Sequence, residues 1–389
     1  MLQFTIKTKD IASKANLLVQ AANLKSLGAA VIEKVGLQIT GKTINLIAVN
    51  EANAVRIGGI PIEVVNGEVG EMADRTTMID LKKFAGIIRQ SKDTLNISLS
   101  DTGVDILSKN KYNLDAYRVD RDISPNLRMA NKAIKLKPLQ ELFDKANLIT
   151  QNVNVTTTGA GCLISGNQLY ATDRVSALYV KNTGLSEYLP KVEADLLFSP
   201  DLFSTCLPKL DIEEGYLGLT ENGDQIVISA GDVTIYKHLM TGQYEKAKIL
   251  KITEIVKNIS EENGVLATLD FAELIETFND YQKIVELDDH VLTIDREGKL
   301  IIHSHNSKMG TGGEVSVKLK NLKMPESLGK TFSGNFSTSS ILIAEEIFGK
   351  REKTEQEIRM GVVTVKKVPT PNIMAFDTDE MLLFIVPRK

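Results

Sequence analysis

Apolar and polar positions alternate with strand period through residues 161–180, which read as strand, tight turn, strand, a second turn at Thr172-Asp173 and a third strand. Gly166-Asn167 supplies the positive φ angles that a two-residue hairpin turn needs. The same pattern occurs at residues 36–42, continuing through 46–50, and again around residues 292–302, where Glu297-Gly298-Lys299 makes the turn. Leu46, Leu169 and Leu300 hold equivalent places, spaced by close to one third of the 389 residues. Between these strands the period changes to that of a helix in six places. The first, 11–25, has Asp10 as N-cap and Leu17, Leu18, Ala21, Ala22 and Leu24 on one face. The second, 81–92, is capped by Asp80 and carries Phe84, Ile87 and Ile88 inward. The third, 138–151, opens on Pro138 and turns Leu139, Leu142, Phe143 and Ala146 inward. The fourth is a short helix after Ser199-Pro200, limited by Pro208. The fifth, 271–284, is capped by Asp270, and the sixth, 339–348, stops at Gly349.

The helix starts recur at a nearly even spacing. They predict a unit of one strand, one helix and three further strands, used six times and paired into three domains. Boundaries fall near residues 122–126 and 248–257, which gives domains 1–126, 127–250 and 251–389. A polar stretch at 306–324 reads as an insertion or mobile loop in the third. The fold class is α+β: three repeated domains, each of two strand–helix–strands units, with helices inside and antiparallel sheets outside. Three such domains in a row leave free strand edges at both ends. Those edges favour pairing with another copy and closure of a ring.

A chain of this length exceeds one ordinary core, and its hydrophobic fraction of 43% is that of a soluble globular protein. No apolar run approaches a membrane span, and residues 1–7 alternate like a strand rather than forming a signal peptide. Cys162 and Cys206 alone exclude a disulfide framework, fit a reducing cytoplasmic setting and read as buried small hydrophobes. The net charge of −4 excludes a bulk basic nucleic-acid binder, so a role on nucleic acid needs segregated charge. The second helix is the most basic and the fifth is net acidic. Catalytic signals are weak. His303 and His305 share a strand face but lack a third ligand, which favours two polar strand residues over a metal pair. The glycines at 310–313 and 158–161 lack the Lys-Ser/Thr of a phosphate-binding loop and read as turns.

The sixfold unit, Tyr170-Ala171-Thr172-Asp173-Arg174, Tyr112-Asn113-Leu114 followed by Asp122-Ile123-Ser124-Pro125-Asn126, and the tail Leu382-Leu383-Phe384-Ile385-Val386-Pro387-Arg388-Lys389 stand in a specific order. In that order the chain resembles the bacterial DNA polymerase III beta subunit, the beta sliding clamp family, over essentially its whole length. It departs after Thr172-Asp173, where the family usually carries Gly, His and Arg before a Leu and this chain has Arg174, Val175, Ser176 and Ala177. Such drift would suit a phage-encoded member and a groove that admits a different peptide.

The resemblance implies a non-catalytic processivity factor without cofactors. It would be a homodimeric ring that encircles double-stranded DNA without reading its sequence, with no membrane association. Its partners would be the replicative DNA polymerase and an ATP-driven clamp loader. Lys25 and Gln151 match DNA-facing positions of the family; Lys82, Lys83 and Arg89 are added from their charge clustering on the second helix. A cleft for partner peptides would include Thr172, Val175, Ala177 or Leu178, Ser340, Ile358, Val386 and Pro387. The competing role for these is core or turn, which the tail position of Val386 and Pro387 weighs against. The resemblance places Tyr112 and Leu114 at the dimer interface, against a domain-one core face as the alternative. A trimeric ring is a variant. A self-associating scaffold that uses the same repeat without encircling DNA is the reading from a different class.

Overall fold

The computed structural model describes residues 1–24, 32–50, 53–72, 75–100, 102–119, 125–151, 160–173, 175–191, 195–240, 254, 264–285, 289–306, 311–326, 330–348, 355–365 and 368–385. Their elements follow in three runs. The first is β1 (Leu2–Lys7), α1 (Thr8–Asn23), β2 (Lys34–Thr40), β3 (Thr43–Val49), β4 (Asn53–Pro61), β5 (Glu63–Asn66), β6 (Thr76–Asp80), α2 (Leu81–Gln90), β7 (Thr94–Leu99), β8 (Gly103–Leu107), β9 (Lys111–Asp115) and β10 (Tyr117–Val119). The second is β11 (Leu127–Met129), β12 (Ile134–Lys135), α3 (Leu136–Thr150), β13 (Gly161–Ser165), β14 (Gln168–Thr172), β15 (Ser176–Val180), β16 (Leu196–Phe198), α4 (Asp201–Cys206), β17 (Glu214–Thr220), β18 (Gln225–Ala230) and β19 (Val233–His238). The third is β20 (Gly264–Asp270), α5 (Phe271–Val285), β21 (Asp289–Asp295), β22 (Lys299–Asn306), β23 (Thr311–Lys323), β24 (Thr331–Ser337), α6 (Thr338–Phe348), β25 (Glu355–Val365), β26 (Val368–Asp377) and β27 (Met381–Ile385). Each run carries two helices, and each helix follows closely on a strand. The fold is α+β, a strand–helix unit used six times in three repeats.

Two compact units divide the chain: residues 1–144, 154–156 and 185–241, and residues 145–153, 157–184 and 242–389. In the first unit one sheet runs β5-β1-β7-β8-β9 and another runs β10-β6-β2-β3-β4-β19-β18-β17-β11, with β12 also on β17. The β4–β19 pairing, Val55 opposite Ile235 and Ile57 opposite Val233, makes one continuous sheet from residues of the first and second runs. In the second unit the strands run β13-β14-β15-β27-β26-β25-β20-β23-β22-β21-β24. There Leu178 faces Leu383 across β15–β27, again joining residues of successive runs. Both seams are built from buried aliphatic side chains on paired strands.

The repeated hairpins form as the alternation predicts. Gly41, Gly166 and Gly298 all take positive φ at their turns, and Leu46, Leu169 and Leu300 are fully buried on the second strand of each hairpin. Asp80 caps α2 by accepting the Lys83 N–H at 2.8 Å, and Asp270 caps α5 by accepting the Glu273 N–H at 3.2 Å. The first helix differs from expectation. Asp10 is not its N-cap but sits inside its first turn, because the helix starts at Thr8 directly from β1. The Thr8 N–H there donates to Asp93 O at 2.9 Å, so a tertiary bond replaces a side-chain cap. The expected loop at 306–324 is also corrected: residues 311–323 are β23, paired with β22 and β20. Val317 and Leu319 are buried while Ser316, Lys318 and Lys320 are exposed, so a half-buried strand was hidden in a polar composition.

The cores are aromatic. Phe143, Phe198 and Phe203 meet in the first unit, Phe143 and Phe203 stacked at 5.3 Å between centroids. Phe271, Phe348 and Phe376 meet edge to face in the second.

Candidate functional site

The exposed face of α1 and α2 is polar and basic. α1 buries Ile11, Ala15, Leu18 and Ala22 and exposes Lys9, Ser13, Asn16, Gln20 and Asn23. α2 buries Leu81, Phe84, Ala85, Ile87 and Ile88 and exposes Lys82, Lys83, Arg89 and Gln90. The Arg89 guanidinium donates through Nε to Asn16 Oδ1 at 3.0 Å, which ties the two helices at their outer surface. The three basic residues predicted on α2 thus share one exposed face. Lys9 joins the basic residues of this wall from α1. Gln151 is exposed just after α3, its amide donating to Leu148 O at 3.3 Å. Lys25 lies outside the described residues.

The corresponding face of α5 has the opposite sign. It exposes Glu273, Glu276, Asp280 and Lys283, with Lys283 bridging Asp280 at 2.8 Å. Glu346 is exposed on α6, and Glu345 accepts from Asn279 at 3.4 Å. On described helices, base therefore concentrates on α2 and acid on α5.

The turn between β14 and β15 is built around Asp173. Its carboxylate accepts the N–H groups of Val175 at 2.8 Å and Ser176 at 2.6 Å. Burial pushes the Asp173 carboxyl up from its ordinary value, partly offset by those N–H donors. Thr172 Oγ1 donates to Ser176 O at 2.9 Å. This bonding holds Val175 out at the apex, where it is 39% exposed, while Thr172, Ala177 and Leu178 are buried. Ser176 pairs with Ile385, so the described end of β27 lies beside the turn. Ser340 is buried at the start of α6. Ile358 lies on β25 between Ala267 and Phe376 in register. Its side chain and the residues Val386 and Pro387 lie outside the described ones. The turn and the end of β27 are thus brought together, with one apolar residue exposed.

β9 and β24 each end a sheet, with one edge unpaired among the described residues. Tyr112 and Leu114 of β9 lie opposite Ile106 and Val104. Leu114 is 5% exposed and Tyr112 is half-buried, its hydroxyl donating to Gln90 Oε1 of α2 at 3.1 Å. Both side chains lie on the face that packs toward α2.

Cys162 and Cys206 are both buried, as the sequence predicts, and burial pushes the Cys206 thiol up to about 12. His303 is exposed on β22 opposite Val291 and Glu314. Among the described residues no three His, Cys, Asp or Glu converge as metal ligands, and no helix is long and apolar enough to cross a membrane.

Comparison with known proteins gives one consistent result. No protein-family model matches the chain, and no curated sequence does. Solved structures do. The DNA polymerase III subunit beta of Pseudomonas aeruginosa superposes with a TM-score of 0.72 over 100% of both chains at 14% identity. The Caulobacter crescentus pol III beta gives 0.73 over 100% of both chains at 13% identity. The Helicobacter pylori beta clamp, solved in complex with 3,4-difluorobenzamide, gives 0.70 over 100% of both at 16% identity. The chain has the fold of the beta sliding clamp from end to end, at 13% to 16% identity to these structures.

Proposed function

We propose that this protein is a DNA sliding clamp, a non-catalytic processivity factor of cytoplasmic DNA replication. Two copies of a three-domain chain, divided at 1–126, 127–250 and 251–389, close a ring around duplex DNA. The ring tethers the replicative polymerase by topology and is opened by an ATP-driven loader. The observation that carries this reading is the full-length fold match, in which all of this chain is covered by all of a beta clamp. Three features support it: the basic exposed face of α2 with Lys82, Lys83 and Arg89, the polar face of α1 beside it, and the edges of β9 and β24, unpaired among the described residues, which suit closure between copies. The exposed carboxylates of α5 favour the other reading, a self-associating scaffold that does not enclose DNA.

A duplex with free ends separates the two without a loader. The protein is allowed to thread onto linear DNA, the ends are then blocked with a bulky protein cap, and the sample is diluted. A clamp stays on the capped DNA and runs off uncapped DNA. Equal retention on both removes the topological reading. A native mass of twice 42.8 kDa is expected; three times that value makes the ring a trimer.

In the same proposal, the Thr172–Ser176 turn and the residues after Ile385 form the cleft for partner peptides, with Val175, Val386 and Pro387 as its apolar contacts. An extended peptide gains most from a preformed apolar groove. Val175→Asp combined with Pro387→Ala is expected to lower stimulation of primer extension by the polymerase about tenfold, at unchanged native mass. Undiminished stimulation removes this assignment.

A further inference from the structure

Asn66, Asn222 and Asn263 each precede a glycine, and the first two lie among the described residues. An asparagine before glycine can react with its own backbone: the glycine nitrogen attacks the side-chain carbonyl carbon, and no Cβ obstructs the approach. The reaction needs a carboxamide free to turn and a glycine N–H free to lose its proton. The fold meets these conditions unequally at the two sites. Asn66 is exposed at the end of β5, whose outer edge is unpaired among the described residues. It stands opposite Gln3 of β1, and the chain leaves the strand at Gly67 with φ of 93°. Among the described residues no hydrogen bond engages the Gly67 N–H. Asn222 is also exposed, in the turn between β17 and β18, and Gly223 takes φ of 74°. There the Gly223 N–H donates to Thr220 O at 2.9 Å, so attack must first break that bond. Packing explains the glycine at 67, where a Cβ would lie 2.6 Å from Met1 O.

We infer that Asn66 is a site of spontaneous covalent modification in the folded protein, converted to aspartate and isoaspartate with Gly67 as the attacking residue. The Gly67 nitrogen loses its proton and bonds to Asn66 Cγ. The side-chain nitrogen takes up a proton and leaves as ammonia. Water then opens the five-membered imide. Cleavage of the new bond gives aspartate; cleavage of the original peptide bond gives isoaspartate, whose backbone runs through Cγ and is one carbon longer. Water is the one reactant consumed. Either product sets a carboxylate on a strand edge where Val64 and Val65 are exposed and Glu63 and Glu68 already stand. Charge on an edge strand opposes its pairing with another chain, and the longer backbone disturbs the register of Asn66 with Gln3. The inference is independent of the clamp reading.

The test needs no variant. The full-length protein is incubated in mildly alkaline buffer, once folded and once unfolded in urea. The modified fraction at each asparagine is followed by digestion and mass spectrometry, with aspartate and isoaspartate separated by chromatography. In urea Asn66 and Asn222 are expected to react at similar rates, since each is followed by glycine. In the folded protein Asn222 is expected to fall behind Asn66 by about fivefold to tenfold, the factor that follows when one backbone hydrogen bond must open before attack. Both aspartate and isoaspartate should appear at position 66, the signature of the imide. The inference is overturned if folding slows Asn66 as much as Asn222, if the folded protein modifies Asn222 first, or if position 66 yields aspartate without isoaspartate.

Discussion

Replacing Lys237 by methionine is expected to lower the free energy of unfolding by about 3–5 kcal/mol. Lys237 stands on β19, in the seam where that strand pairs with β4, and only 3% of it is exposed. Its ammonium donates to Asn53 Oδ1 at 2.7 Å and lies 2.7 Å from Asp201 Oδ1 in the first turn of α4. Asn53 is itself buried, and the Asp201 side chain is 18% exposed. Methionine keeps the length and apolar stem of the lysine but removes the ammonium that the two oxygens share, leaving Asp201 Oδ1 with the Leu202 N–H at 2.8 Å. What remains is a largely desolvated carboxylate without its ion pair. The penalty is that of a buried charge left without its counter-ion, which exceeds the net contribution of the intact ion pair. The double variant Lys237→Met with Asp201→Leu should therefore recover more than half of the loss. Urea unfolding of the three proteins measures both numbers. A loss below about 1 kcal/mol in the single variant, or no recovery in the double, would mean that water reaches the site and screens it. The seam is also where residues of the first and second runs become one sheet, so the single variant should loosen that joint before it disturbs the helices.

That triad could not be read along the chain. Lys237 and Asn53 are 184 residues apart, and each looks like an ordinary polar position near the end of its strand. The local features were legible because their causes are local. Asp80 ahead of an apolar helical stripe predicted a cap, and the Lys83 N–H bonds to it. Gly166-Asn167 predicted a hairpin, and Gly166 takes φ of 57° there. Asp10 misled for the same reason: its chemistry suits a cap, but the strand before it runs straight into the helix and Asp93 O takes the Thr8 N–H. The stretch at 311–323 misled through its composition, although its buried positions alternate as a strand should. Of the candidate site, Lys82, Lys83 and Arg89 were named from their charge clustering on one helix, and all three side chains are exposed. Val175 was named from position; its exposure follows from the Asp173 bonds that hold the turn.

The triple variant Lys82→Ala, Lys83→Ala and Arg89→Ala is expected to weaken duplex binding about 100-fold at about 0.15 M salt, with no change in fold. Each phosphate neutralised by a lysine or arginine releases condensed counterions and contributes about 0.9 to the slope of log affinity against log salt. Losing three such contacts lowers that slope by nearly 3, so the deficit grows as salt is diluted and closes toward about 1 M. The fold should tolerate the change because all three side chains are exposed. The cap on α2 survives, since the Asp80 carboxylate is met by the backbone N–H of residue 83, which alanine retains. Loss of the Arg89–Asn16 hydrogen bond at the surface contributes little. The same experiment on α5, with Glu273→Gln, Glu276→Gln and Asp280→Asn, should strengthen binding slightly, since it removes repulsion without adding a contact. A sequence-independent loss confined to the α2 variant, together with intact retention of the unaltered protein on end-capped DNA, places the phosphate track on α2. If the α5 variant instead loses binding, those carboxylates make contacts of their own and the charge argument for α2 falls. If neither variant changes the slope, the duplex is held by topology alone and touches no helix persistently, which leaves the ring reading in place but removes any defined phosphate track on α2.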